Sequence, residues 1–304
     1  MEHINSQTLT KRLTLSVVAA CLISFCGFIT ETAVNIAFPK IMATFFCLVL
    51  GFANIAQIQE RPVFVVVLLA LGVICLFFFA RHCAKAEQPL VKIAVFQNTA
   101  FNCHLIAFFL INAVMLGASF LLPNYTQVVI GAASFTAGLI LLSGALLNAG
   151  ADPISGMILD RFDPKFPILF LSNDILMAVS VILFTCLGMH LTTTLVFVLY
   201  LLFGIGCGMA FGSTMTVGML RLSPEMKPYG NTAFNTLMQF AGAVGTCVAA
   251  ACVSLSQNNA APEWYTIKTA EGSVHGFLFL SILAVVSVLL QIGGFWNFER
   301  KQKI

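Results

Sequence analysis

Residues 121–162 read LLPNYTQVVIGAASFTAGLILLSGALLNAGADPISGMILDRF. From Ser134 to Ile158 this stretch carries one charged residue, Asp152, and it then closes on Asp160 and Arg161. A helix of this length rises about 37 Å, enough to cross a hydrocarbon core of about 30 Å. The apolar residues are continuous rather than alternating, which excludes a strand of a membrane barrel. A helix also satisfies its own backbone in lipid. The stretch therefore reads as a membrane-spanning helix ending on charged residues.

The rest of the chain repeats this reading. Of its 304 residues, 59% are apolar and 9% charged, with a mean hydropathy of +0.97. A soluble domain carries about 25% charged residues, so there is too little polar surface here to cover one. Comparable apolar runs lie at 13–38, 63–82, 101–123, 167–188, 193–218, 230–254 and 274–296, for about eight spans in all. The first run is too long for a secretory signal and is expected to be a retained span. A shorter run, Phe45 to Ala56, rises only about 18 Å as a helix and cannot cross alone. The longest polar connections, 83–100 and 255–273, leave no room for a soluble domain.

Charge sets the expected orientation. With a cytoplasmic N-terminus, the inner segments hold Lys11, Arg12, Arg81, Lys85, Lys92, Arg161, Lys165, Arg221, Lys227, Arg300, Lys301 and Lys303. The outer segments hold only Lys40, Arg61 and Lys268. Both termini are thus expected in the cytoplasm, in a multi-pass protein of the cell membrane. If Phe45–Ala56 crossed, every later loop would change sides and the bias would reverse. The net charge of +3 comes from scattered residues, so nucleic acid is not an expected partner. The ten cysteines lie in or beside apolar runs without paired CxxC spacing, and they read as small apolar fillers rather than metal ligands.

Three stretches together resemble the major facilitator superfamily, in particular its fourteen-helix drug:proton antiporters of multidrug efflux. ETAVNIAFPKIMATF, residues 31–45, is similar to the first-helix signature T-x-x-N-x-A-x-P at Thr32, Asn35, Ala37 and Pro39. Gly156, Asp160 and Arg161 match a G-x-x-x-D-R cytoplasmic loop, although Asp163 stands where the family usually has glycine. NTAFNTLMQFAGAVGT, residues 231–246, resembles the penultimate helix at Asn235, Gln239, Gly242 and Gly245. The resemblance also implies a gap. After KIMATF the chain passes into FCLVLGFANIAQIQERP, which is similar to the outer end of helix seven, and then through EQPLVKIAVFQN to helices nine to fourteen. Helices two to six and most of helix seven, with the first-half gate loop and the fifth-helix glycine–proline motif, have no counterpart, as if deleted near Thr44–Cys47.

The implied fold is an all-α polytopic membrane protein with a complete C-terminal six-helix half and most of the N-terminal half missing. Residues 1–43 would form a cytoplasmic head and the first span. Residues 44–100 would hold the remnant, one span and a cytoplasmic linker, and 101–304 the six-helix half. The implied function is proton-coupled efflux of small amphiphilic or drug-like substrates, in a truncated form expected not to pump alone. A non-transporting binding or accessory protein is the alternative. No cofactor is implied, and no catalytic constellation argues for an enzyme. The exposed cavity face would meet lipid or a second copy in a homodimer.

Candidate residues follow from charge in apolar surroundings. Glu31 sits in the first span, where an ionised carboxylate costs about 2.5–3.5 kcal/mol on insertion scales. It reads either as a proton-coupling group or as a neutral acid hydrogen-bonded in the bundle. Asp152 and Asp174 also lie within apolar runs. They read as proton handlers, or as ion-pair or inner-gate residues reached by Arg161 or Lys165. Gly156, Asp160, Arg161 and Lys165 form the expected gate loop, and Asn235 and Gln239 the expected cavity wall. His104 is expected at the cytoplasmic interface. Gly204, Gly208 and Gly212 recur every four residues, which suits small-residue helix packing or a flexible lining helix.

The topology is directly testable. With the other native cysteines replaced, Cys83 should react with an impermeant thiol reagent only from the cytoplasmic side. A cysteine at Asn258 should react only from outside. Labelling of both from one side contradicts the eight-span arrangement.

Overall fold

The computed structural model describes residues 62–85, 92–161, 167–258 and 260–302, and all regular structure among them is helical. Seven α-helices follow in order: α1 (Pro62–Lys85), α2 (Thr99–Asn124), α3 (Ser134–Arg161), α4 (Pro167–Leu187), α5 (Thr193–Leu220), α6 (Lys227–Gln257) and α7 (Tyr265–Gln302). Five stretches, within α2, α3, α5, α6 and α7, are long and apolar enough to cross a membrane. Shorter apolar stretches lie in α1 and α4, at Pro62–Ile74 and Leu171–Leu187. The first span and the Phe45–Ala56 run fall outside the described residues.

Local sequence explains the helix ends. Asn98 caps α2, its side-chain oxygen accepting from the backbone N–H groups of Ala100 (3.1 Å) and Phe101 (3.2 Å). Thr192 caps α5 by accepting from Leu195 N–H. Pro123 has no N–H to donate, and just beyond it the ladder widens into a π turn at Tyr125–Val129. Gly131, at φ +73°, then reverses the chain in the left-handed region that favours glycine. One boundary differs from the sequence expectation. Residues 265–273, read as connection, are the first turns of α7. Hydropathy marks the hydrocarbon, whereas this helix continues into water on local bonds. The Thr269 hydroxyl donates to Tyr265 O (2.7 Å), and Lys268 pairs with Glu271 (2.6 Å).

The core of the molecule is α2–α7, and its packing repeats. Helix α2 packs on α6 and α7, α5 packs on α3 and α4, α2 crosses α5, and α4 crosses α7. Helices α6 and α7 also pack on each other; apart from that pair, the first three of these helices use the same contacts as the last three. Lipid offers little drive to bring apolar helices together, so close approach depends on small residues. A Cβ on Gly204 would stand 2.5 Å from the carbonyl oxygen of Gly144. On Gly208 it would stand 2.3 Å from that of Asn148, and on Gly212 2.1 Å from a carboxylate oxygen of Asp152. The partners advance by four residues on both helices, so α3 and α5 run parallel. The glycine stripe is therefore a packing seam. The α2–α6 pair is also parallel: Phe101 meets Phe234 (ring centroids 5.5 Å), Phe109 meets Phe240 (5.8 Å), and a Cβ on Gly245 would lie 2.1 Å from Ala113 O.

The helix ends carrying basic residues meet at one end of this bundle. The Asn98 amide donates to Arg221 O (2.7 Å), joining the start of α2 to the end of α5. The Lys92 ammonium lies 4.8 Å from the ring centroid of Tyr229 at the start of α6, and the Arg221 guanidinium 5.4 Å from that of Phe295 late in α7. The alternation of loops behind the charge bias is thus the alternation of the fold.

The seam makes a quantitative prediction. Gly208→Leu should destabilise the bundle by about 1–3 kcal/mol through overpacking. Gly150→Leu, on the same seam helix but with nothing within 4 Å of its Cβ position, should leave the detergent melting midpoint unchanged or raise it. Equal midpoints for the two variants contradict the packing role.

Candidate functional site

Two carboxyls in the described bundle sit on different seams. Asp174, on α4, is fully buried. One of its oxygens accepts a hydrogen bond from the Gln291 amide of α7, and the same amide nitrogen donates to the Thr214 hydroxyl of α5 at 2.7 Å. The other Asp174 oxygen is buried without a hydrogen-bond partner. Three helices therefore meet through one polar node inside an apolar core. The partner of Asp174 is Gln291, a lone glutamine in SILAVVSVLLQIGGFW that averaged hydropathy conceals.

Asp152, on α3, is half-buried against Gly212 of α5. Its backbone carbonyl accepts from the buried Ser155 hydroxyl at 2.7 Å. The described residues expected to form a gate loop, Gly156, Asp160 and Arg161, lie one turn and more further on. Gly156 is half-buried with open space where a Cβ would stand, and Arg161 is exposed in the last turn of α3, where a cation complements the helix dipole. Asp160 belongs to the same turn, while Lys165 and Glu31 fall outside the described residues.

His104, near the start of α2, is fully buried within the bundle, edge-on to Phe295 at 5.9 Å between ring centroids, with both ring nitrogens lacking hydrogen-bond partners. The early turns of α2 are enclosed by α5 and α7: a Cβ on Gly294 would lie 3.2 Å from the His104 ring, and one on Gly218 3.2 Å from its Cβ. A count of residues from the span end cannot reveal that enclosure.

The most distinctive surface is on α6. Asn235 is half-buried and Gln239 exposed, and they share a face with Thr232, Ala243, Thr246 and Ala250. Among the large apolar residues of α6, only Leu255 is exposed. Helix α3, by contrast, exposes Phe135, Leu139, Leu142 and Leu146. A span whose outward face is amide, hydroxyl and alanine does not suit lipid tails, whereas the outward face of α3 does. The sequence pattern located Asn235 and Gln239, and the structure adds the small and hydroxyl-bearing residues that extend their face along the helix.

A polytopic helical membrane protein with a repeated three-helix pattern and a polar span face is the class these features define. Residues 61–246 match the family described as Major Facilitator Superfamily, and the chain belongs to that superfamily. It is 29% identical over 262 residues to "Lincomycin resistance protein LmrB" of Listeria monocytogenes, a match covering 84% of this chain and 54% of that protein. The protein of the same name in Bacillus subtilis is 30% identical over 253 residues, covering 80% and 52%. "Methylenomycin A resistance protein" of Bacillus subtilis is 24% identical over 245 residues, covering 79% and 50%. The chain thus spans about half the length of the curated relatives it matches.

The polar node yields a test by paired substitution. Gln291→Met removes the amide from Asp174 and should cost about 1–3 kcal/mol, the price of an unsatisfied buried polar group. Asp174→Leu combined with Gln291→Met removes both polar partners and should melt closer to the unaltered protein. A double variant whose losses simply add contradicts the pairing.

Proposed function

We propose that this chain supplies the C-terminal wall of a proton-coupled drug-efflux transporter, and that by itself it is a truncated form that does not pump. The observation that carries this reading is the outward face of α6. Asn235 and Gln239 present amides along a span that is otherwise apolar. Such a face serves a water-accessible cavity, where it can hydrogen-bond an amphiphilic solute while neighbouring apolar surface takes the solute's body. The printed names of the relatives make lincomycin the first compound to test.

Alternating access needs two walls that rock about a central site. The described helices α2–α7 form one wall. In this reading Gly156, Asp160, Arg161 and Lys165 bias its inner gate, and Glu31, Asp152 and Asp174 are the candidates for carrying the coupled proton. The membrane is the cell membrane, with both termini cytoplasmic. The half-length match to the relatives also favours a second reading, a membrane binding or accessory protein that keeps the fold without transport.

The test uses inside-out vesicles carrying only this protein, with and without an imposed proton gradient. Neither lincomycin nor an amphiphilic dye should accumulate above protein-free vesicles. Accumulation that depends on the gradient and is lost on adding an uncoupler contradicts the inactive reading and supports two chains supplying the two walls. In a transporting assembly, Glu31→Gln should remove the pH dependence of uptake at unchanged expression.

A further inference from the structure

Halfway along the bundle, two amides face each other across a boundary that no seam closes. Helices α2 and α3 both pack on α5 but meet each other only lightly, so α5 floors the boundary between them. On α2, Phe108, Asn112, Met115 and Ser119 recur at intervals of four, three and four residues and share one face. Two contacts with α5 fix where that face lies. Phe108 meets Phe211 with ring centroids 4.9 Å apart, and Ser119 hydrogen-bonds Tyr200, whose ring also takes the place of a Cβ on Gly144 of α3. Between these contacts α2 rises about 16 Å. Asn112 lies within that interval, at the level where Gly208 of α5 meets Asn148 of α3.

Neither amide is well satisfied. The Asn112 side chain is 1% exposed. Its nitrogen donates to Phe108 O at 2.8 Å, while its oxygen is buried without a hydrogen-bond partner among the described residues. Across the boundary, the Asn148 amide nitrogen donates to the Met115 sulfur at 3.5 Å, and a thioether is a weak acceptor. Asn148 and Met115 are half-buried, so the weak contact between them is reached from the surface and stands over the buried Asn112 oxygen.

We infer that Asn112 and Asn148 form a binding site for the secondary amide of a small amphiphilic solute, with Met115 as its gate. Methionine is unbranched and flexible, and it gives up its place beside Asn148 to a better acceptor. The N–H and C=O of a trans amide point in opposite directions. A solute lying between α2 and α3 therefore donates its N–H to the Asn112 oxygen while its carbonyl accepts from the Asn148 nitrogen. The half-buried Phe211 on the floor takes an apolar body. An ester of the same shape keeps the carbonyl but lacks the N–H, and it leaves the Asn112 oxygen unpaired. The site rests on the reading of this bundle as a solute-facing wall, but it requires neither the α6 amides nor pumping.

Photolabelling of the full chain in lipid nanodiscs tests it. The probe is a benzophenone bearing an N-ethyl carboxamide, and the control is the corresponding ethyl ester. The amide probe should label residues 108–119 or 200–215 saturably, with excess N-ethylbenzamide competing, and at least about fivefold more strongly than the ester. Asn112→Leu, which keeps the side-chain volume and removes the oxygen, should lower amide labelling to the level of the ester. Asn148→Leu should weaken both probes, because both use its nitrogen. The comparison of amide with ester needs no variant and holds even if Asn112→Leu fails to fold. Equal labelling by the two probes overturns the inference. So does labelling confined to the exposed leucines of α3, or an amide preference that persists in folded Asn112→Leu. Labelling reports binding alone, whereas accumulation in vesicles bears on the proposed function, so the two readings fail separately.

Discussion

Close approach of helix backbones along two parallel seams is the constraint on which the bundle depends. At the α3–α5 seam, Gly204 and Gly208 leave no room for a Cβ beside the carbonyl oxygens of Gly144 and Asn148. At the α2–α6 seam, Gly245 does the same beside Ala113. Because lipid tails are as apolar as the helix surfaces, area burial cannot select these pairings, and shape must do so. The direction of every other helix follows. Once α3 and α5 are parallel, α4 between them must run back, and the same holds for the connections that lead to α6 and α7.

Those seams fix which surface of α6 is left outward. Its glycine and phenylalanine face turns inward against α2, which leaves Gln239 exposed and Asn235 and Thr246 half-buried on the other side. The buried polar node works in the other sense. Asp174, Gln291 and Thr214 tie α4, α7 and α5 together within the core and leave one carboxyl oxygen without a partner. One set of polar groups therefore ties helices together within the bundle, and the other lies on its outward side. Both features belong to one helical bundle, in a chain that belongs to the Major Facilitator Superfamily.

The elements of the bundle were legible because hydropathy measures what lipid demands, and runs such as 134–158 and 193–218 coincide with α3 and α5 to within a few residues. The glycine stripe at Gly204, Gly208 and Gly212 was legible as packing because four-residue spacing projects onto one helix face. Burial of single polar residues was not. His104 sits near a span end by count but is enclosed by α5 and α7, and the pairing of Asp174 with Gln291 joins residues 117 positions apart. Start points beyond the hydrocarbon were equally hidden, since Tyr265–Ser273 is helical on local bonds that hydropathy does not weigh.

The central claim is that the polar face of α6 meets protein or an aqueous cavity rather than lipid. Nitroxide labels at Gln239 and Thr246, compared with labels at Leu142 and Leu146 in the same bilayer, test it through collision with dissolved oxygen, which concentrates in the hydrocarbon. The account predicts low oxygen accessibility at Gln239 and Thr246 and high accessibility at the two leucines of α3. Accessibility at Gln239 and Thr246 as high as at Leu142 and Leu146 would contradict it.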